Sequence, residues 1–159
     1  MPQDLPEILN RAADTPWVWM AIGTQQTRVV YARAGQAAQQ RVLAMGTEQV
    51  GNGPFRSAPP TPLALENAIA CVEDLVMPIL KLLPAGAAFY ASAPALIDLL
   101  QAGALELEAI EDRFNTLAAY VQGRPVPGDA ALVQPQAAAV LLILRETMHH
   151  LGFQSVQVV

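Results

Sequence analysis

Residues 17–46 read WVWMAIGTQQTRVVYARAGQAAQQRVLAMG, and this stretch decides the fold class. Residues 17–22 are apolar and run into the polar Gly23-Thr24-Gln25-Gln26. Residues 27–33, TRVVYAR, are rich in β-branched and aromatic side chains, which suit a pleated surface. Two such runs around a short polar loop predict a β-hairpin. Ala34-Gly35-Gln36 makes a second turn, and residues 41–45 predict a third strand that ends at Gly46. The chain therefore opens with a three-strand antiparallel meander.

Beyond Gly46 the period of the sequence changes. Residues 51–62, GNGPFRSAPPTP, hold four prolines and form a loop, from which Thr61-Pro62 starts a helix with proline in its first turn. Residues 63–83 carry apolar side chains at 65, 68, 69, 72, 75, 76, 79, 80 and 83. That is the 3.6-residue period of an amphipathic helix. Pro78 lies inside it and should kink it or end its regular part. Residues 87–91, AAFYA, fit a buried strand, with Ser92 at its end and a helix over 94–100 closed by Gly103. Helices are predicted over 105–121 and 135–151, separated by a loop at 123–128, and Gly152 stands at the C′ position of the last. Residues 153–159 end the chain as a strand. A short helix over 5–13, capped by Asp4, precedes the meander. A meander and then alternating helices and strands predict an α/β fold over 1–159: one domain, a mixed sheet of about five strands, and helices on both faces.

Composition narrows the function. The length of 159 residues suits one domain. Hydrophobic residues make up 53% and charged residues 14%, so a large core or a self-association surface is expected, and with it a homo-oligomer, most simply a dimer. The net charge is −5 and the nine basic residues are scattered, so no patch exists to displace counterions from a nucleic acid. The single cysteine, Cys71, cannot form an internal disulfide, which suits a reducing compartment. The first ten residues carry acids and prolines where a secretory leader would carry cations and an apolar run. Charges at Glu73, Asp74 and Arg145 interrupt the apolar stretches before they reach the ~18 residues of a membrane span. A cytoplasmic protein with no membrane segment is expected.

The order and spacing of several motifs resemble the second domain of the exopolyphosphatase and guanosine pentaphosphate phosphohydrolase family. That family belongs to the actin-like ATPase superfamily, whose domains have a ribonuclease H-like fold. Residues 21–27, AIGTQQT, stand where the family has its phosphate loop, D-x-G-G-G-S-T. Residues 43–46, LAMG, stand where its third strand ends in L-x-L-G, and residues 59–62, PPTP, open the first long helix. Pro127-Gly128, then residues 140–145 (VLLILR), Leu151-Gly152 and the closing SVQVV match its C-terminal part. The resemblance runs from Trp17 to Val159.

The departures from the pattern bear on function. The metal-holding Asp of the first loop is Ala21 here, and only Gly23 survives of its glycines. Thr24 and Gln25 come next, and their side chains crowd a loop meant to wrap a phosphate. The second phosphate loop, G-x-G-G-T, is replaced by Tyr90-Ala91-Ser92-Ala93-Pro94. Gln136-Ala137-Ala138 replaces an Arg-Ala-Asp, and the family's other domain, with its catalytic carboxylate, has no counterpart in this sequence. The resemblance thus implies vestigial phosphate loops, with Gly23, Thr24, Thr27 and Ser92 as the candidate ligand-binding residues, no catalytic residue, no metal site and no cofactor. A binding or regulatory module, with phosphate or a nucleotide as its ligand, is the leading expectation. A weak phosphatase with Mg²⁺ and a site shared in a dimer, its acids coming from Glu48 or Glu66, is the alternative. A pure assembly partner is the third reading.

Other residues invite chemistry and have plainer explanations. Glu146-x-x-His149 with His150 has one metal-ligand spacing where a carboxylate-bridged pair needs two such helices; histidines in a last helical turn complement the helix dipole. Cys71 has no histidine near it in sequence, and a buried cysteine is ordinarily a small core residue. Glu66, Glu73 and Asp74, like Glu106, Glu108, Glu111 and Asp112, fit a solvated helix face. Trp17, Trp19 and Tyr31 are either core or a contact surface.

Overall fold

Three strands come first in chain order: β1 (Trp17–Ile22), β2 (Thr27–Ala32) and β3 (Gln39–Leu43). They pair as the antiparallel meander, with Ile22 opposite Thr27 and Thr27 opposite Leu43. The computed structural model describes residues 6, 9, 14–94, 96–100, 103–125 and 131–159. Most of the short helix expected over 5–13, its cap at Asp4 and the Pro127-Gly128 loop lie outside them.

Helix α1 (Pro62–Val76) starts at Thr61, whose hydroxyl accepts the Ala64 N–H at 3.2 Å, with proline in the first turn. It gives way to a 3₁₀ helix over Met77–Leu82, because Pro78 cannot donate into the α ladder. Strand β4 (Ala88–Ser92) then lies parallel to β1. Helix α2 (Leu96–Leu100), strand β5 (Gly103–Glu106), helix α3 (Leu107–Val121), helix α4 (Pro135–Leu151) and strand β6 (Ser155–Val158) complete the chain. Gly152 ends α4 with φ 77°, a left-handed conformation that glycine adopts without steric cost.

The six strands form one mixed sheet in the order β3-β2-β1-β4-β6-β5. It has one strand more than expected. Gly103 does not close a helix; it opens β5, with φ 132°, and Gly103–Glu106 pairs antiparallel with β6. Four residues are too few to show a period, so the ladder with β6 decides the conformation. Helix α3 accordingly begins at Leu107 rather than at 105.

Alternation along the strands sorts side chains to two faces. Val18, Met20 and Ile22 of β1 join Val29 and Tyr31 of β2 in the main core. Helices α1, α2, α3 and α4 supply much of the rest of that core, with Phe89 and Ala91 of β4, Val156 and Val158 of β6, and Phe55 from the proline-rich loop. Helix α4 is its centre, buried continuously from Ala138 to Leu144, as expected of a helix that is apolar all round. On the opposite face Trp17, Trp19, Val30 and Ala32 pack with Leu9, itself helical. Trp17, Trp19 and Tyr31 are therefore core residues, 5%, 3% and 2% exposed. No helix among the described residues is long and apolar enough to cross a membrane.

Candidate functional site

Strands β1, β4 and β6 run parallel, and the chain leaves β1 for one side of the sheet and enters β4 on the other. Open α/β sheets hold ligands outside the carboxyl ends of parallel strands, at such a reversal. A cleft of about 670 Å³ lies there. Residues 21–26 form one wall, residues 92–94 the other, and Arg28 reaches in from β2. Both walls coincide with the loops that the sequence motifs single out.

The first wall is a four-residue turn, 23–26, closed by Gly23 N–H donating to the Gln26 carbonyl at 3.0 Å. A side chain at Gly23 would stand 2.7 Å from that carbonyl oxygen, so the turn itself demands glycine. The turn is also pinned from behind. Thr47 N–H donates to the Gly23 carbonyl at 2.9 Å and Glu48 N–H to the Thr24 carbonyl at 2.8 Å. Gly46 makes this approach possible, because a Cβ there would lie 2.5 Å from both carbonyl oxygens.

The expected site residues separate in space. Gly23, Thr24 and Ser92 line the cleft, and Thr24 is exposed. Thr27 does not line it. Thr27 is fully buried, and its hydroxyl donates to the Met45 carbonyl at 2.8 Å. It ties β2 to the end of the third-strand segment. Sequence reading missed Arg28, Trp19 and Ala21 as a group. The Arg28 guanidinium lies over the Trp19 ring, 5.2 Å from its centroid. The Trp19 indole N–H donates to Ser92 Oγ at 3.0 Å. Strand alternation was the available signal, since 19, 21 and 28 fall on one face once the hairpin register is known.

A magnesium ion does not fit this lining. Mg²⁺ is held by oxygen ligands that include one or two carboxylates. The cleft wall has the Ala21 methyl where the family pattern has its Asp, and among the described residues its charged member is Arg28. Glu48 is exposed and accepts a hydrogen bond from Gln25 Nε2 at 3.2 Å, and Glu66 lies on the exposed side of α1.

The other candidates resolve into packing. Glu146 is 1% exposed, with Arg145 Nη1 at 2.6 Å and His150 Nε2 at 3.2 Å. His149 turns instead to Glu111, 3.7 Å away. Among the described residues no group of three or more His, Cys, Asp or Glu side chains could hold a metal ion. Glu66, Glu73, Asp74, Glu106, Glu108 and Asp112 are exposed, Glu111 is half-buried, and Cys71 is half-buried on α1.

This is an α/β, actin-like ATPase-type fold. Among solved structures it is similar to a Ppx/GppA phosphatase of Aquifex aeolicus, with TM-score 0.70 and 12% identity over 94% of this chain and 55% of that one. It is also similar to an exopolyphosphatase-like protein (TM-score 0.68, 12% identity, 93% of this chain and 55% of that one). A third is an exopolyphosphatase from Cytophaga hutchinsonii (TM-score 0.66, 10% identity, 91% of this chain and 53% of that one). At such identity the likeness shows the shared fold, and the chain spans about half the length of these structures. No family model and no curated protein matches the sequence.

Proposed function

We propose that this chain is a non-catalytic domain of the exopolyphosphatase fold that acts as a binding or regulatory module. One observation carries the reading: among the described residues, the cleft at the carboxyl ends of β1 and β4 is lined by a cation, Arg28, and by no carboxylate. Phosphoryl transfer depends on metals and donors placed to neutralise developing charge. A lining of this sign favours holding an anion over assembling a metal centre. Self-association belongs to the same proposal. Val42, Leu63, Met77 and Leu80 are apolar and between 42% and 66% exposed, and they supply surface for it.

The test has two arms. With Mg²⁺ present, polyphosphate, ATP and ADP should yield no phosphate release that scales with protein concentration. In a thermal-shift series, a ligand at 100 times its Kd should stabilise the fold by about 2.7 kcal/mol, roughly 5–11 °C for a chain of this size. Steady turnover would replace the proposal with the weak-phosphatase reading. No shift with any phosphate compound, together with a self-associating species in sedimentation, would favour the assembly reading.

A further inference from the structure

The loop between β3 and helix α1 is anchored on both sides of one open point. Val50 and Phe55 are buried in the main core, 3% and 5% exposed. Gly51 packs on α1, where a Cβ would meet the backbone of Asn67 and Ala68 at 3.4 Å. Val50 N–H donates to the Gly53 carbonyl at 3.2 Å, a bond that spans Gly51 and Asn52. Asn52 itself is exposed. It stands in the walls of two hollows, of about 290 Å³ and 440 Å³. Neither shares a lining residue with the cleft at β1 and β4.

Asparagine is a thermolabile side chain. It loses its amide when the backbone nitrogen of the next residue reaches its side-chain carbonyl carbon. That nitrogen must be unbonded, unobstructed and outside a helix. Among the described residues nothing accepts from the Gly53 N–H. Gly53 has no side chain to block the approach, and nothing lies within 4 Å of where a Cβ would stand. Its φ of 127° is far from helical and is open to glycine. Asn67 and Asn115 differ, because they lie inside α1 and α3. There the following N–H belongs to the helical ladder, and the fixed dihedrals hold it away from the side chain. Asn10 lies outside the described residues.

We propose that Asn52 is a site of self-modification, at which Gly53 converts the side-chain amide to an acid. The Gly53 nitrogen attacks Asn52 Cγ and closes a cyclic succinimide. The bond from Cγ to Nδ2 breaks, and the Gly53 proton leaves with the amide nitrogen as ammonia. Water then opens the ring. Cleavage between the Gly53 nitrogen and Cγ leaves aspartate. Cleavage between that nitrogen and the Asn52 backbone carbonyl carbon leaves isoaspartate, its main chain lengthened by the β-carbon. Hydroxide promotes the attack by taking the Gly53 N–H proton, so the rate rises with pH. Either product places a carboxylate in a hollow whose wall also holds Arg56, and makes the chain more acidic.

The folded chain is incubated in mildly alkaline and in mildly acidic buffer, resolved by anion exchange and digested with trypsin. Cleavage after Arg41 and Arg56 isolates Asn52 in the peptide 42–56, while Asn67 falls in 57–81 and Asn115 in 114–145. A more acidic species should accumulate, faster at the higher pH. The peptide 42–56 should gain the mass that separates an acid from an amide and should split into aspartate and isoaspartate forms. The other two peptides should keep their amides. Asn52→Gln, an exposed and conservative change, should abolish the acidic species. The proposal is overturned if the folded chain keeps the Asn52 amide where the free peptide 42–56 loses it. It is overturned equally if loss at Asn67 or Asn115 keeps pace with that at Asn52, or if no isoaspartate forms.

Discussion

Replacing Gly46 by alanine should cost far more than a methyl group ordinarily does. The new Cβ would lie 2.5 Å from the carbonyl oxygens of Gly23 and Thr24 and 2.6 Å from the Thr24 carbonyl carbon. All three are backbone atoms, so no side chain can rotate away to make room. Either the 23–26 turn or the segment around Gly46 must move. Overpacking of this kind costs about 1–3 kcal/mol. The shift also stretches the bonds from Thr47 N–H and Glu48 N–H into the turn, now 2.9 and 2.8 Å, each worth about 1 kcal/mol. The expected loss is roughly 3–5 kcal/mol, or on the order of 10 °C in Tm. Urea unfolding measures it as a lower midpoint with an unchanged slope. Gly35→Ala is the control. Its site is open, with nothing within 4 Å, but its φ is 67°, so only left-handed strain of about 1–2 kcal/mol applies. A Gly46→Ala protein within about 1 kcal/mol of wild type would refute the close-approach argument.

Thr27→Val should lower stability by about 1–2 kcal/mol in urea, because the Met45 carbonyl loses its buried donor. The same variant should leave anion affinity unchanged, since Thr27 does not line the cleft. Glu146→Ala strips the buried carboxylate from Arg145 and His150. Arg145 keeps 22% of its side chain in solvent, so the loss should be about 2–3 kcal/mol, below that for a fully buried pair; an unchanged urea midpoint would contradict it. Thr61→Ala removes the N-cap of α1 and should cost about 1 kcal/mol, read from the same transition.

Local chemistry determines much of this molecule. The meander is legible in the alternation of apolar and β-branched residues around Gly23-Thr24-Gln25-Gln26. Helix α1 is legible in its period and in Thr61-Pro62, its end in Pro78, and α4 in Pro135 and Gly152. These signals are short-range: caps, missing donors and side-chain periods act within a turn or two of chain. The two cleft walls are legible as well, because both lie at strand ends marked by polar residues.

Pairing across the sheet decided the rest. Strand β5 exists because β6 offers it a ladder, and nothing within Gly103–Glu106 announces that. Thr27, set among the candidate ligand residues by its position in a motif, is turned inward by strand alternation to the Met45 carbonyl. Arg28, Ala21 and Ser92 become a row only through register, which brings Ser92 beside residues far from it in sequence, with Trp19 orienting two of the three. A one-residue slip would send every one of these side chains to the other face. Periodicity can therefore specify which residues are strand, but the chemistry of the cleft depends on which residues stand side by side, and that is a property of the assembled sheet.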